Sequence, residues 1–201
     1  MSDSRRAALL PVSFFRRSTA QVARDLLGAV VVSEAGGART VGRIVETEAY
    51  LGHTDPASHG FQMRRHAGNA SLFGPAGTWY VYLSYGVHWC VNLVCEGNGL
   101  GGAVLLRALE PLEGLDAMME RRRTVKPALL CAGPGRLAAA LGITRALDGA
   151  AMRASAVTVR RGAPVLPQDV VASPRVGITR AAEWPLRFTT LSGSTWVSRR
   201  P

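Results

Sequence analysis

The sequence predicts an α+β fold, with one mixed domain built on antiparallel strands. Three observations support this prediction. Short runs with the alternation or β-branched character of strands recur along the chain. Segments with helical periodicity are fewer, and they lie between those runs. A length of 201 residues suits one domain, and no repeat, linker or low-complexity block divides residues 1–201.

The N-terminal segment predicts an arm, a helix and a strand. Residues 1–12 are basic and lack periodicity, which is typical of a loose arm. Ser18 offers an N-cap for a helix over residues 19–27, and Gly28 is a suitable stop. The apolar residues 29–32 that follow predict a buried strand.

The next strand carries the first candidate chemistry. Residues 40–50 alternate from Val41 and predict a strand with Glu46 and Glu48 on one face. From residue 51 to 78 the sequence is rich in Gly, Pro, His, Asn and Ser. A loop of that length inside a compact domain is usually functional or disordered.

A β-hairpin is predicted in the middle of the chain. The aromatic and β-branched runs at 79–84 and 87–96 are joined around Tyr85-Gly86. A glycine-rich turn at 97–102 then leads into a strand over 103–110.

The remainder is predicted to mix helices with short strands. Pro111 suits the start of a helix that runs to about Arg123, and a further helix is expected over 133–141. Short strands are expected at 157–161, 174–179 and 186–190.

The charge of the chain points to a polyanionic partner. The formal net charge is +10 and the pI is about 10.9, so nucleic acid is the first candidate and an anionic membrane surface the second. The positive charge comes almost entirely from arginine, since Lys126 is the only lysine. A GC-rich coding sequence would produce the same composition.

The cysteines and the hydropathy exclude several classes. Three cysteines without a C-x-x-C pair indicate neither a disulfide framework nor a Cys-rich metal site. The spacing of His59, His66 and Asp55 matches no zinc signature, so no metal and no other cofactor is expected. The N-terminus does not resemble a secretory signal, and no apolar run is long enough to cross a bilayer, so we expect a cytoplasmic protein that does not bind membranes.

Aromatic and imidazole side chains are concentrated in one region. All four tyrosines and all four histidines lie between residues 50 and 88. A pocket for a planar ring would explain this clustering, because extruded bases stack between aromatic or apolar side chains. Ordinary strand composition is the alternative explanation, and it suffices for Tyr80.

Hydrolysis at an anomeric carbon without a metal needs a carboxylate to activate water. Glu46 and Glu48 are the candidates, although either could be an ordinary surface or ion-paired carboxylate. An amine nucleophile is poorly represented, because Lys126 lies away from any motif and only the N-terminal amine remains.

Three ordered blocks carry a specific resemblance. They are RIVETEAYLGHTDPASH (43–59), GPAGTWYVYLSYGVHWCVN (74–92) and AVLLRALEPLEGL (103–115), with weaker agreement at 130–143, 175–178, 183–188 and 196–198. Together they resemble the alkyladenine (3-methyladenine) DNA glycosylases of the antiparallel-sheet group, not the helix-hairpin-helix group. The resemblance implies a curved antiparallel sheet flanked by helices, with a protruding hairpin.

The resemblance also implies roles for individual residues. Glu48 matches the general base, Arg107 an arginine that holds the attacking water, and Val176 a residue that lends its backbone carbonyl. The remaining matches form the base pocket and the DNA wedge: Tyr50, His59 and Tyr82 sandwich the flipped base, Asn92 crowds the amino group of normal guanine, and Tyr85 fills the gap left in the duplex.

The function implied is that of a monofunctional, monomeric DNA glycosylase. It would release 3-methyladenine and 7-methylguanine from double-stranded DNA, with hypoxanthine and ethenoadenine left open. Departures from the family pattern at 97–102, at Val87 and His88, and at 124–130 leave the substrate range open too. The alternatives are a non-catalytic nucleic-acid-binding domain of the same fold and a formyltransferase-type tRNA-binding module, neither of which needs the Glu48 carboxylate.

Overall fold

The computed structural model describes residues 7–198, which contain four α-helices and eight strands that form one antiparallel sheet. The strands are β1 (Val30–Ser33), β2 (Thr40–Leu51), β3 (Trp79–Ser84), β4 (His88–Val94), β5 (Gly102–Glu113), β6 (Val157–Arg160), β7 (Val170–Ser173) and β8 (Arg187–Thr190). The helices are α1 (Val12–Phe15), α2 (Thr19–Asp25), α3 (Leu115–Arg122) and α4 (Pro134–Ala140). The predicted α+β class with an open, curved sheet is confirmed.

The sheet is organised around the long strand β2. Its strand order is β3-β4-β5-β2-β1-β6, and β8 pairs with β2 as well as with β7. β2 pairs with β5 along one edge, while its other edge pairs first with β1 and then with β8. The middle of β2 is therefore an inner part of the sheet, paired on one edge with β5 and on the other with β8. Side chains that it carries are shielded from solvent by these neighbouring strands.

The main hydrophobic core lies between the sheet and the helices. α2 packs against β2 and β5, and α4 packs against β4 and β5. Fully buried side chains such as Trp79, Leu106 and Leu137 fill this space. The core fixes the inner strands from one face and leaves the opposite face of β3 and β4 available for a pocket.

The predicted hairpin is formed by β3 and β4. Ser84 pairs with His88 at its end, and Tyr85, Gly86 and Val87 form the turn. Gly86 has a φ of +70° and Tyr85 a φ of +50°, so the tight turn requires left-handed backbone at both positions. Glycine adopts this conformation freely, whereas a tyrosine does so at a cost.

The expected helix from Pro111 is wrong at its start. β5 continues to Glu113, and α3 begins only at Leu115, after Gly114 with a φ of +74°. Pro111 lies opposite Gly42, beside a shift in the β2–β5 register. A proline without an N–H is tolerated in a strand at such an irregularity.

The strand expected over 174–179 is wrong, and the N-cap expected at Ser18 is correct in position but not in its hydrogen bond. Residues 174–179 form a loop, while the strand in this region is β7, just before them. Ser18 occupies the N-cap position of α2, but its side chain makes no capping bond. The carboxylate of Glu96 accepts from the Thr19 amide and hydroxyl instead.

The predicted basic arm over 1–12 is wrong for its second half. Leu10 is buried, its amide donates to the Val159 carbonyl, and Leu9 bridges to Arg160. Residues 1–6 lie outside the described part of the chain. That residues 1–201 form a single domain stays a prediction.

Candidate active site

The site is built where β2 and β5 lose their regular register. Ile44 pairs with Leu109, Glu46 with Ala108 and Thr47 with Leu106, so Arg107 falls at an irregularity between paired residues. Bulges of this kind re-aim side chains and are common beside active sites. Here both carboxylates that were predicted to share a face, Glu46 and Glu48, bind Arg107.

Glu46 is surrounded by hydrogen-bond donors. Its Oε1 accepts from Arg107 Nε at 3.0 Å, from Arg187 Nε at 2.7 Å and from the Ser198 hydroxyl at 2.8 Å. Its Oε2 accepts from the Ser198 amide at 2.6 Å. Burial would raise the pKa of Glu46, but Arg107, the Ser198 amide and Arg187 outweigh it, so the pKa lies below its ordinary value. Glu46 is therefore a fixed anion.

Glu48 is completely buried but has fewer donors. Its Oε2 accepts from the Tyr50 hydroxyl at 3.0 Å and from Arg107 Nη1 at 3.2 Å, and its Oε1 accepts from the Val176 amide at 2.7 Å. Burial raises the pKa of Glu48, and Arg107, the Val176 amide and Tyr50 do not fully offset it. A carboxylate with a raised pKa is a better proton acceptor than an ordinary one.

An aromatic wall stands beside this carboxylate. The rings of Tyr80 and Tyr82 stack with centroids 5.4 Å apart, and His59 meets Tyr82 edge-on at 4.5 Å. His59 Nδ1 lies 2.7 Å from the Tyr80 hydroxyl. Burial, with a smaller effect of His66, lowers the pKa of His59 and favours its neutral form.

Asn92 completes the floor on β4. It is buried opposite Tyr80 in the hairpin, and its amide nitrogen donates to the Tyr80 carbonyl at 3.1 Å. The side chain is therefore held in one orientation by the strand beside it.

These side chains line one cavity of about 490 Å³. The three residues that donate hydrogen bonds to the Glu48 carboxylate, Tyr50, Arg107 and Val176, all contribute to the cavity wall. The predicted residues His59, Tyr82, Tyr85 and Asn92 line it as well, together with Tyr80 and Cys90. A cavity with an aromatic side and a buried carboxylate behind its wall suits a planar ring attacked at one edge.

Tyr85 stands apart from the others because it is 93% exposed at the hairpin tip. Val87 beside it is 67% exposed, and Leu83 is partly exposed. Exposed large apolar side chains at one protruding turn indicate a contact surface.

The predicted residue Val176 reaches the site through an atom other than the one expected. Its backbone N–H, rather than its carbonyl, makes the observed contact with Glu48. The expected role of the carbonyl in holding a water therefore stays a prediction.

Several residues of the site were missed by sequence reasoning. Ordinary strand composition is enough to explain Tyr80 in the sequence, but in the structure Tyr80 lines the cavity. Sequence reasoning does not anticipate the hydrogen-bond partners Arg187 and Ser198 of Glu46, or the buried ion pair of Asp55 with Arg175. Only Tyr80 had a usable signal, its i, i+2 spacing from Tyr82 on one strand face.

Among residues 7–198, neither a metal-binding cluster nor a lysine amine is present in the cavity. Within residues 7–198 no cluster of three or more His, Cys, Asp or Glu side chains could hold a metal ion. Lys126 is exposed and does not line the cavity, and the N-terminal amine lies outside the described residues.

Comparison with known proteins decides the family. A model of the methylpurine-DNA glycosylase (MPG) family matches residues 13–193. The chain belongs to this family. It is accordingly a DNA glycosylase, a hydrolase that acts on N-glycosyl bonds.

Relatives with about half of their residues identical support the assignment. One from Methanoculleus marisnigri is 50% identical over 95% of this chain and 99% of its own. One from Rhodopseudomonas palustris HaA2 is 49% identical over 92% of this chain and 88% of its own. One from Agrobacterium fabrum is 48% identical over 95% of this chain and 93% of its own. All three bear the name "Putative 3-methyladenine DNA glycosylase".

The family assignment is consistent with the charge of the chain, because a DNA glycosylase acts on a polyanion. No helix among residues 7–198 is long and apolar enough to cross a membrane. A cytoplasmic location and a monomeric state stay predictions.

Proposed function

We propose that this glycosylase extrudes alkylated purines from double-stranded DNA and hydrolyses their N-glycosidic bond with a water activated by Glu48. The observation that carries the proposal is the pairing of a buried, incompletely neutralised carboxylate with an aromatic-lined cavity whose wall includes its three partners. The names of the relatives favour 3-methyladenine as one substrate. We extend the range to 7-methylguanine, with hypoxanthine and ethenoadenine to be tested.

In the proposed reaction, Glu48 accepts a proton from a water while the water oxygen bonds to the anomeric carbon. The bond between that carbon and the purine nitrogen breaks, and its electron pair leaves with the base. A purine alkylated on a ring nitrogen carries a positive charge, so it leaves as a neutral molecule without needing an acid. Arg107 enters the reaction charged, because Glu48 and Glu46 outweigh the effect of burial and raise the pKa of Arg107.

The aromatic residues provide the base pocket in this proposal. Tyr50, His59 and Tyr82 would stack on the extruded ring, and tyrosine faces attract a cationic purine. The lowered pKa of His59 matters here, because a neutral imidazole does not repel such a base. Asn92, held by the Tyr80 carbonyl, would crowd the exocyclic amino group of normal guanine.

The exposed tip of the hairpin would enter the duplex. Tyr85, which is almost fully exposed, would fill the space vacated by the extruded nucleotide and offset part of the unstacking cost of a few kcal/mol. The cost of left-handed backbone at Tyr85 is easier to understand if the ring has a partner in the complex.

We also propose that the enzyme is monofunctional. Cleavage of the DNA backbone by a glycosylase uses an amine to form a Schiff base. The single lysine, Lys126, is exposed on a segment that does not line the cavity. The expected product is an intact strand with an abasic site.

The proposal is tested by single-turnover release of base from duplexes that carry 3-methyladenine, 7-methylguanine, hypoxanthine or ethenoadenine. Wild type is compared with Glu48→Gln, without added metal, and strand scission is measured with and without alkali. We expect wild type to release base and to give strand breaks only after alkali. In Glu48→Gln the rate of base release should fall by about 10²- to 10⁴-fold or more.

Glu120→Gln is the matched control, because Glu120 is an exposed carboxylate on α3 outside the cavity wall. It should release base at the wild-type rate. Full activity of Glu48→Gln would remove Glu48 from the role of base. Lesion binding without any base release by wild type would favour a non-catalytic nucleic-acid-binding domain.

A further inference from the structure

A buried ion pair lies behind the pocket tyrosine. Arg175 Nη1 is 2.5 Å from Asp55 Oδ2, and Arg175 Nη2 is 2.9 Å from Asp55 Oδ1. Both side chains are completely buried, and the two residues are 120 positions apart in the chain. An ion pair in this setting is costly to desolvate and is weak evidence for a purely stabilising role.

The guanidinium of Arg175 also contacts the ring of Tyr50. Its central carbon lies 4.7 Å from the ring centroid, while Nη1 donates to the neighbouring Ala49 carbonyl at 3.0 Å. Tyr50 lines the cavity whereas Arg175 does not. Because Arg175 is completely buried and does not line the cavity, its cation approaches the ring from the protein interior.

A cation on one face of an aromatic ring weakens the attraction of the other face for a second cation. The attraction between a cation and a ring comes from the negative potential of the ring face. A positive charge behind the ring reduces that potential and repels a second cation directly. In a buried site this effect is poorly screened, so the charge of Asp55 is needed to compensate it.

We propose that the ion pair of Asp55 and Arg175 sets the preference of the pocket for cationic over neutral purines, by holding a neutralised guanidinium against Tyr50. This inference rests on the proposed function, in which the extruded base stacks on Tyr50. Asp55 and Arg175 are specificity-determining residues that act through Tyr50 and need not touch the substrate.

The same pair has a structural role that the test must separate. Arg175 precedes Val176, whose amide binds Glu48, and Asp55 accepts from the amides of Leu51 and Ala57. Loss of this scaffold would weaken binding of every lesion in parallel. A role in charge selection instead changes the ratio of two Kd values, one for a charged base and one for an uncharged base of the same shape.

The experiment measures the Kd of duplexes that contain one of two bases on the same 2′-fluoroarabino sugar. One base is 7-methylguanine, which is cationic and is protected from hydrolysis by the fluorine, and the other is 7-methyl-7-deazaguanine, which is neutral. Undamaged duplex is the reference. Wild type, Asp55→Asn and Arg175→Gln are compared by fluorescence anisotropy, after circular dichroism has shown which variants fold.

The two variants should move the ratio in opposite directions. Asp55→Asn leaves the Arg175 cation uncompensated, so binding of the cationic base should fall about fivefold relative to the neutral base. Arg175→Gln leaves the Asp55 anion without its partner, so binding of the cationic base should strengthen relative to binding of the neutral base. If only one variant folds, the sign of its shift still tests the proposal.

A ratio that moves in neither variant, or in the same direction in both, would overturn this inference. The proposed function fails in a different way, when wild type binds neither lesion duplex more tightly than undamaged DNA. Wild type that prefers the lesions, beside variants with an unchanged ratio, would refute only the role of the ion pair.

Discussion

Two carboxylates separated by one residue on β2 have opposite surroundings. The region around Glu46 supplies two arginines, a backbone amide and a hydroxyl, and the pKa of Glu46 falls. The region around Glu48 shares only Arg107, adds a neutral phenol and one amide, and leaves the pKa of Glu48 raised. Both side chains are completely buried, so burial alone does not distinguish them.

The difference shows how one strand supplies a structural anion and a candidate base. Arg107 lies between them, with Nε on Glu46 and Nη1 on Glu48. Glu46 has a second arginine in Arg187, whereas Glu48 has Arg107 alone, so burial is less completely offset at Glu48. Environments that push the pKa values of two carboxylates apart mark the group suited to proton transfer.

The largest effect is expected for the stability of Glu46→Gln. The change removes the carboxylate that faces the buried groups Arg107 Nε and Arg187 Nε, and breaking a buried pair typically costs about 3–5 kcal/mol. Urea unfolding at pH 7 measures the loss. Glu120→Gln should differ from wild type by less than about 0.5 kcal/mol. A small loss in Glu46→Gln would show that Glu46 is not the structural anion.

The second prediction concerns the pH dependence of turnover. Glu48 must be ionised to accept a proton, and its pKa is raised above 4.5, so the acid limb of kcat/KM for 7-methylguanine release should lie above pH 4.5. Glu46 contributes to this elevation by charge repulsion. In Glu46→Gln the limb should therefore move to lower pH, and a shift to higher pH would contradict the proposed coupling.

A smaller effect is expected for the stability of Glu48→Gln. The pKa of Glu48 is higher in the folded chain than the ordinary value of 4.5. As the pH rises from 4.5 through the raised pKa, Glu48 ionises at a cost to the folded state, and stability falls. A neutral glutamine removes this cost but loses charge-assisted hydrogen bonds. At pH 7 we expect a change within about 1 kcal/mol. A loss as large as that of Glu46→Gln would erase the distinction between the two regions.

The smallest effect on stability is expected at the hairpin tip, which is exposed whereas the two carboxylates are buried. Tyr85 is almost fully exposed, so Tyr85→Ser should change the free energy of unfolding by less than about 0.5 kcal/mol. Its effect should appear in DNA, as a weaker 2-aminopurine fluorescence signal of base extrusion. An unchanged signal would count against a wedge. Combined with Glu48→Gln, its effect on stability should be additive.

Local patterns predicted much of this molecule. The alternation around Glu48 placed it correctly beside Glu46 on one strand face, and the aromatic runs around Tyr85 predicted the hairpin and its tip. The segment after Pro111 misled, because proline suits a helix start as well as a bulged strand. Register irregularities leave no signal in the alternation itself, so the position of Arg107 opposite both carboxylates could only be expected through the family resemblance.

The sequence by itself therefore determined the strand faces, the hairpin, the basic charge and, through its motifs, the family. Only the tertiary structure decided which charges meet. Asp55 pairs with Arg175 over 120 positions, and Glu46 pairs with Arg187 over 141 positions. The physical reason is that side-chain periodicity fixes neighbours only within one element. Partners on distant segments are set by how the sheet stacks its strands, and a buried charge takes whichever donor that packing brings within reach.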